Sequence, residues 1–473
     1  MVFSSAIFLF AFLPIVCGLY FIMPNLKVKN ALLIVASLIF YGFGEPIYVL
    51  LMIASIIVNY LFGLFEYLSY TKKHCAVQKL MLVISIVANI GVLGVFKYAG
   101  FFVENINHVT GLNIHVPEIT LPIGISFFTF QALSYVIDVY RKPEMVQKNL
   151  FKLMLYISFF PQLIAGPIIR YSEIQKQIDN RVSTVDKTAE GISRFIRGLT
   201  KKLIIANAAG YIADSVFALD INEYNFIVAW VGAIAYAIQI YYDFSGYSDM
   251  AIGMAKIFGF EFSENFNHPY SAKGIKDFWR RWHISLSMWF RKYVYIPLGG
   301  NRKGKARCEI NKLIVFALTG MWHGANWTFI IWGLIHGVAN VIEDTLGSVI
   351  KIKNNVIKNI ITLIVVVSAF VMFRADTVGY GLSMLKSMFT NFSLSIESAS
   401  YVAGLLSPYY IFILVVALLF AYPVREKMVN VFKSKCSSNA VEISLYVLDV
   451  VLLVMCIVSL ATATYNPFIY FRF

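Results

Sequence analysis

The chain has 473 residues, of which 59% are hydrophobic and only 14% charged, and its mean hydropathy is +0.70. A soluble domain averages about 45–50% apolar and about 25% charged residues, so soluble domains, disorder, a coiled coil and a disulfide scaffold are excluded. Forty Lys and Arg against 26 Asp and Glu give a net charge of +14; these charges fall in loops between apolar runs, where they set orientation against anionic membrane lipid, and no nucleic acid partner is expected.

A membrane span needs about 20 mostly apolar residues. Residues 1–23 lack a basic leader and a small-residue cleavage site, so they read as a retained span and not as a signal peptide. Apolar runs follow at 30–43, 45–67, 80–97, 119–139, 153–169, 203–219, 226–242, 311–322, 326–345, 356–373, 408–423 and 443–464. The runs at 30–43, 153–169 and 311–322 are short or broken by Gly and Pro and read as re-entrant. The fold class expected is all-α, a polytopic helix bundle of roughly eleven crossings with re-entrant and interfacial helices. Basic loops follow the first, third and fifth spans (Lys27 and Lys29; Lys72, Lys73 and Lys79; Arg141, Lys142, Lys148 and Lys152), and Arg425, Lys427, Lys433 and Lys435 precede the last. The positive-inside rule puts these loops in the cytoplasm and both termini outside. The five cysteines, Cys17, Cys75, Cys308, Cys436 and Cys456, form no CxxC pair, so neither a metal site nor a disulfide framework is expected.

Walker A, HExxH, GxSxG and dinucleotide signatures are absent. Ionisable groups in apolar surroundings, which tend to be functional, are therefore the candidates. The stretch 239–249 closes an apolar run and carries Asp243 and Asp249, which either orient a histidine, pair with arginines or cap a new helix starting near Met250. The most polar block is 261–309. Between Lys273 and Arg307 it holds ten basic residues, among them Arg280, Arg281, Arg291 and Lys292, against one acid, Asp277, with His268, Trp279, Trp282, His283 and Trp289 interleaved. It reads either as a lipid-surface anchor or as a site for a phosphorylated donor. His323 lies between two apolar runs beside Gly320, Trp322, Gly324 and Asn326, as either a packing residue or a proton-transfer group. His336 follows thirteen residues later, nearly on the opposite face of an uninterrupted helix, and so reads as a support. The tail 465–473 is rich in aromatic rings. It is either an interfacial belt or a segment folding back toward the site, with Tyr470 the one hydroxyl after Tyr465.

Tyr242-Asp243-Phe244-Ser245-Gly246-Tyr247-Ser248-Asp249, Asp277-Phe278-Trp279-Arg280-Arg281-Trp282-His283-Ile284-Ser285, Tyr295-Ile296-Pro297-Leu298-Gly299-Gly300 and Trp322-His323-Gly324 resemble membrane-bound O-acyltransferases, most of all the bacterial alginate O-acetyltransferase branch. Phe160-Pro161-Gln162-Leu163-Ile164-Ala165-Gly166-Pro167-Ile168 and Asn466-Pro467-Phe468-Ile469-Tyr470-Phe471-Arg472-Phe473 match as well. The resemblance covers essentially the whole chain and implies one membrane domain, with N-terminal spans at 1–140, a catalytic core at 141–345, and C-terminal spans and tail at 346–473. It implies a multi-pass cell-membrane (plasma or inner membrane) protein with a central tunnel, His323 as catalytic histidine and His283 as its partner. Asp243, Asp249, Trp322, Asn326 and His336 would support them, and Arg280, Arg281, Arg291 and Lys292 would meet the donor. No cofactor is bound in this reading. Acetyl-CoA is the acyl donor, and the final acceptor is a cell-surface glycan, alginate-like or peptidoglycan, reached through an extracytoplasmic SGNH-hydrolase-like acetyltransferase. Tyr470 is read as an acyl acceptor assisted by His323. The alternatives are a D-alanyl transferase fed by an acyl carrier protein, and a glycan or lipid transporter.

Overall fold

The computed structural model describes residues 1–347, 352–462, 465, 466 and 469. Every regular element among them is helical, as composition requires of a chain whose backbone must bond internally in lipid. Polar caps open many of the helices. Asn25 accepts from Val28 N–H, and Asn354 accepts from Val356 and Ile357 N–H.

Seven helices among the described residues are long and apolar enough to cross a membrane: Leu26–Gly44, Tyr48–Thr71, Cys75–Thr110, Phe226–Ile257, Trp327–Leu346, Asn355–Arg374 and Asn439–Thr462. An eighth results if Ile396–Leu405 and Pro408–Phe420, bent by 74°, form one broken span. The roughly eleven crossings expected are therefore not confirmed among the described residues, where Phe8–Ile22 is a further, shorter apolar helix. The run at 153–169 is two short buried helices, Leu150–Ser158 and Phe160–Leu163, and the run at 119–139 is the almost wholly buried Ile125–Arg141. Their apolar character reflects burial inside protein, which selects the same residues as lipid does.

The chain folds as two compact units, Met1–Phe195 with Met250–Ser263, and Ile196–Asp249 with Glu264–Phe473. In the first, Tyr48–Thr71, Cys75–Leu93 and Ile125–Arg141 pack together, and Asn59 and Asn89 exchange side-chain bonds of 3.1 and 2.7 Å between two of them. The second holds every candidate residue given above that lies among the described residues. Its core packs Asn207–Phe217, the first part of Phe226–Ile257, Trp327–Leu346 and Asn355–Arg374 around buried aromatic rings. The helix Phe226–Ile257 runs unbroken through Ser248 and Asp249, so the cap expected there does not form.

Candidate active site

The helix Lys305–His323 stops at His323 because Gly324 is extended (φ −167°, ψ 156°) and Asn326 caps the next helix, accepting Thr328 N–H at 3.0 Å. Asn326 also donates to the Asp376 carbonyl at 3.1 Å, so its support is structural. The two helices form a hairpin whose backbones touch. A Cβ on Gly320 would stand 2.2 Å from the Phe329 carbonyl oxygen, and one on Gly333 2.2 Å from that of Phe316. Only glycine permits that approach. The break also revises the expected separation of the histidines, since His323 and His336 lie on different helices and both contact Trp332, with ring centroids 5.1 and 5.3 Å away. His336 is fully buried and stacks on Phe278.

His323 is 8% exposed, with its ring edge-on to Trp322 at 4.9 Å and Phe373 at 5.1 Å. It opens onto an apolar cavity lined by Ile240, Phe244, Trp282, Trp332, Phe370, Phe373 and Ile469. Trp322 also contacts His283, at 6.0 Å, so one indole stands against both histidines.

His283 is fully buried and caps the short helix Ile284–Phe290 with φ 43° and ψ 55°, a left-handed conformation costing an L-residue on the order of 1 kcal/mol. The backbone holds it there: Ile284 N–H donates to the Asn265 carbonyl at 2.9 Å. Its Nδ1 lies 3.1 Å from Asn265 Oδ1. Burial pushes the imidazole pKa down to about 3, so the ring is neutral near pH 7.

Asp243, expected to meet a histidine or an arginine, pairs instead with Lys202 at 2.6 Å, and both side chains are almost fully buried. Asp243 Oδ2 also accepts the backbone N–H of Ile469 at 2.9 Å. The tail is tied down further by the Tyr465 hydroxyl, which donates to Asp214, and by Asn207, which donates to the Tyr465 carbonyl at 3.2 Å. Tyr470 itself lies outside the described residues, one position beyond Ile469. Asp249 pairs with Lys201 at 2.6 Å. Removing one partner of a buried ion pair costs roughly 3–5 kcal/mol. Asp243→Ala should therefore lower the thermal unfolding temperature markedly. A Lys202→Met/Asp243→Leu double variant should regain stability without regaining transfer, because the tail's anchor stays lost.

In the basic block Trp279, Trp282 and Trp289 are buried in protein and do not form a lipid-facing belt. Arg281 donates to Asp277 at 2.8 Å, and Lys276 pairs with Asp344. Lys292 lies over the Tyr293 ring at 5.0 Å. Arg280 and Arg291 are exposed. Asn265, Lys202 and Ile469 were not singled out from sequence. Lys202 borders an apolar run and looks like an interfacial cation, and Asn265 sits in a polar block with no pattern to mark it.

A helical, multi-pass membrane protein with histidines buried among aromatic rings is thus defined. Residues 140–384 match the model of MBOAT, the membrane-bound O-acyltransferase family. The chain is 43% identical over 395 residues to the Pseudomonas aeruginosa protein named Probable alginate O-acetylase AlgI, covering 82% of this chain and 75% of that one. It is 37% identical to the Peptidoglycan O-acetyltransferase of Helicobacter pylori, covering 82% and 80%. Against the Teichoic acid D-alanyltransferase of Bacillus subtilis it is 33% identical, covering 46% and 57%. The chain belongs to the membrane-bound O-acyltransferase family and is an acyltransferase.

Proposed function

We propose that this acyltransferase moves an acetyl group from cytoplasmic acetyl-CoA across the cell membrane for O-acetylation of an extracytoplasmic polysaccharide. The observation that carries the reading is the cavity in which His323 and Ile469, the neighbour of Tyr470, share the lining. His323 takes the proton of the attacking hydroxyl, oxygen adds to the thioester carbonyl, the C–S bond breaks, and the proton passes to the sulfur to leave CoA thiol. Tyr470 provides that hydroxyl. A phenol with an ordinary pKa of about 10 needs such a base to attack, and as an ester it is a better leaving group than an alkyl alcohol. A partner of the SGNH-hydrolase class then takes the acetyl group to the glycan hydroxyl, restoring the phenol. The apolar walls keep water from the thioester. The alginate and peptidoglycan acetylases among the relatives support this acceptor class, and an acyltransferase identity sets the transporter aside. Both termini lie outside in this topology.

Vesicles holding the protein, supplied with labelled acetyl-CoA on one face, test the donor. Label transferred from acetyl-CoA supports the reading. Label transferred only from a D-alanyl carrier protein would replace it with the aminoacyl one. Of the four cations read as meeting the donor, Arg280 and Arg291 are exposed, whereas Arg281 is already engaged by Asp277. Arg280→Gln/Arg291→Gln should raise the KM for acetyl-CoA about three- to tenfold, with a larger effect at low ionic strength, as screened phosphate contacts require. An unchanged KM with poor membrane insertion would assign these cations to lipid.

A further inference from the structure

We infer that Asn265 is a positioning residue that holds His283 in the Nδ1–H tautomer, so that His283 acts only as an acceptor, through Nε2. The inference rests on the reading of His283 as part of the acyl-transfer site, but the tautomer can be measured without it.

A backbone amide always carries its proton. The backbone N–H of Ser285 donates to Asn265 Oδ1 at 3.2 Å, which fixes that atom as the carbonyl oxygen of the amide. The other end agrees, since Nδ2 donates to Ser248 Oγ at 2.9 Å. His283 Nδ1, 3.1 Å from this oxygen, must therefore carry the proton; the opposite tautomer would set two lone pairs against each other. The Ser285 hydroxyl donates to the same oxygen at 2.9 Å and stands 3.5 Å from Nδ1, too far to supply a competing proton. Nε2 is left as a lone pair with no hydrogen-bond partner among the described residues.

The groups facing the ring are Asn265 and Ser285, Phe266, Phe244 from the Phe226–Ile257 helix and Trp322 from the Lys305–His323 helix. No charged side chain stands among them, so the orientation is set by neutral hydrogen bonds. Asn265 and Ser285 bracket the ring, and the bonds between them also close the backbone around its left-handed φ. A carboxylate in place of the amide would change the ring's proton affinity while keeping its geometry.

Two measurements test this. With 15N-labelled histidine, NMR of the full-length protein in detergent or bilayer should show one fully neutral histidine protonated at Nδ1, lost in His283→Asn; its protonation at Nε2 would overturn the inference. For activity, Asn265→Asp keeps the accepting oxygen and adds a charge. It should introduce an acid limb in the pH–kcat profile that is missing in the wild type, with kcat near wild type on the side where His283 is neutral. Asn265→Ala should lower kcat by between about 10- and 10⁴-fold with little change in donor KM, the upper figure being the cost of a mis-set tautomer in a serine protease triad. An Asn265→Asp profile superimposing on the wild type would refute the tautomer clamp. Full activity in His283→Ala, with the Nδ1-protonated signal present in the wild type, would instead refute only the catalytic reading of His283.

Discussion

Replacing His323 by alanine should cut kcat by about 10²–10⁴-fold, the loss typical of a positioned general base. That corresponds to roughly 3–5 kcal/mol of barrier. The ring sits at the end of a helix whose stop is set by Gly324 and whose hairpin is held by Gly320 and Gly333, and none of these contacts needs the imidazole. The variant should therefore insert and fold, with its spans and tail in place. KM for the donor should change little, because the base acts on the hydroxyl and not on the CoA phosphates. The check is steady-state transfer in reconstituted vesicles beside a thermal unfolding curve. Activity within about threefold of wild type would remove His323 from the chemistry, since a general base contributes at least about a hundredfold.

Tyr470→Phe should have an equal or larger effect. It keeps the ring and removes the proposed nucleophile, so under this proposal transfer to the glycan should fall to background while acetyl-CoA still binds. Its neighbour Ile469 lines the cavity with His323 and is bonded to Asp243, and the expected effect rests on that placement. A stable variant that acetylates the glycan at normal levels would leave the tail as an aromatic belt at the membrane surface.

The all-helical architecture was legible because composition alone forbids any other solvent for most of the chain. His323 stands out in the sequence for a related reason, an ionisable ring between apolar runs and flanked by glycines, and the structure sets it at a helix end against an apolar cavity. What escaped was everything that depends on pairing across long stretches of chain. Asn265 meets His283 eighteen positions away, and Asp243 meets Ile469 across 226 positions, with no periodicity to announce either bond. Of the alternatives open for Asp249 the cap fails, although the polar cluster around it looks like a helix start, because Lys201 neutralises it and the helix continues. The span count of about eleven is not confirmed, for a physical reason too. Ile125–Arg141 is apolar because it is buried in protein, and a hydropathy window does not separate that from contact with lipid.

The measurement closest to the central claim is a single-turnover incubation of the protein in vesicles with labelled acetyl-CoA and no acceptor, quenched in acid and read by mass spectrometry of the C-terminal peptide. An acetyl group on Tyr470 in the wild type, absent in His323→Ala and in Tyr470→Phe, is the result this account predicts. CoA release with the tail never labelled, or equal labelling in His323→Ala, would contradict it.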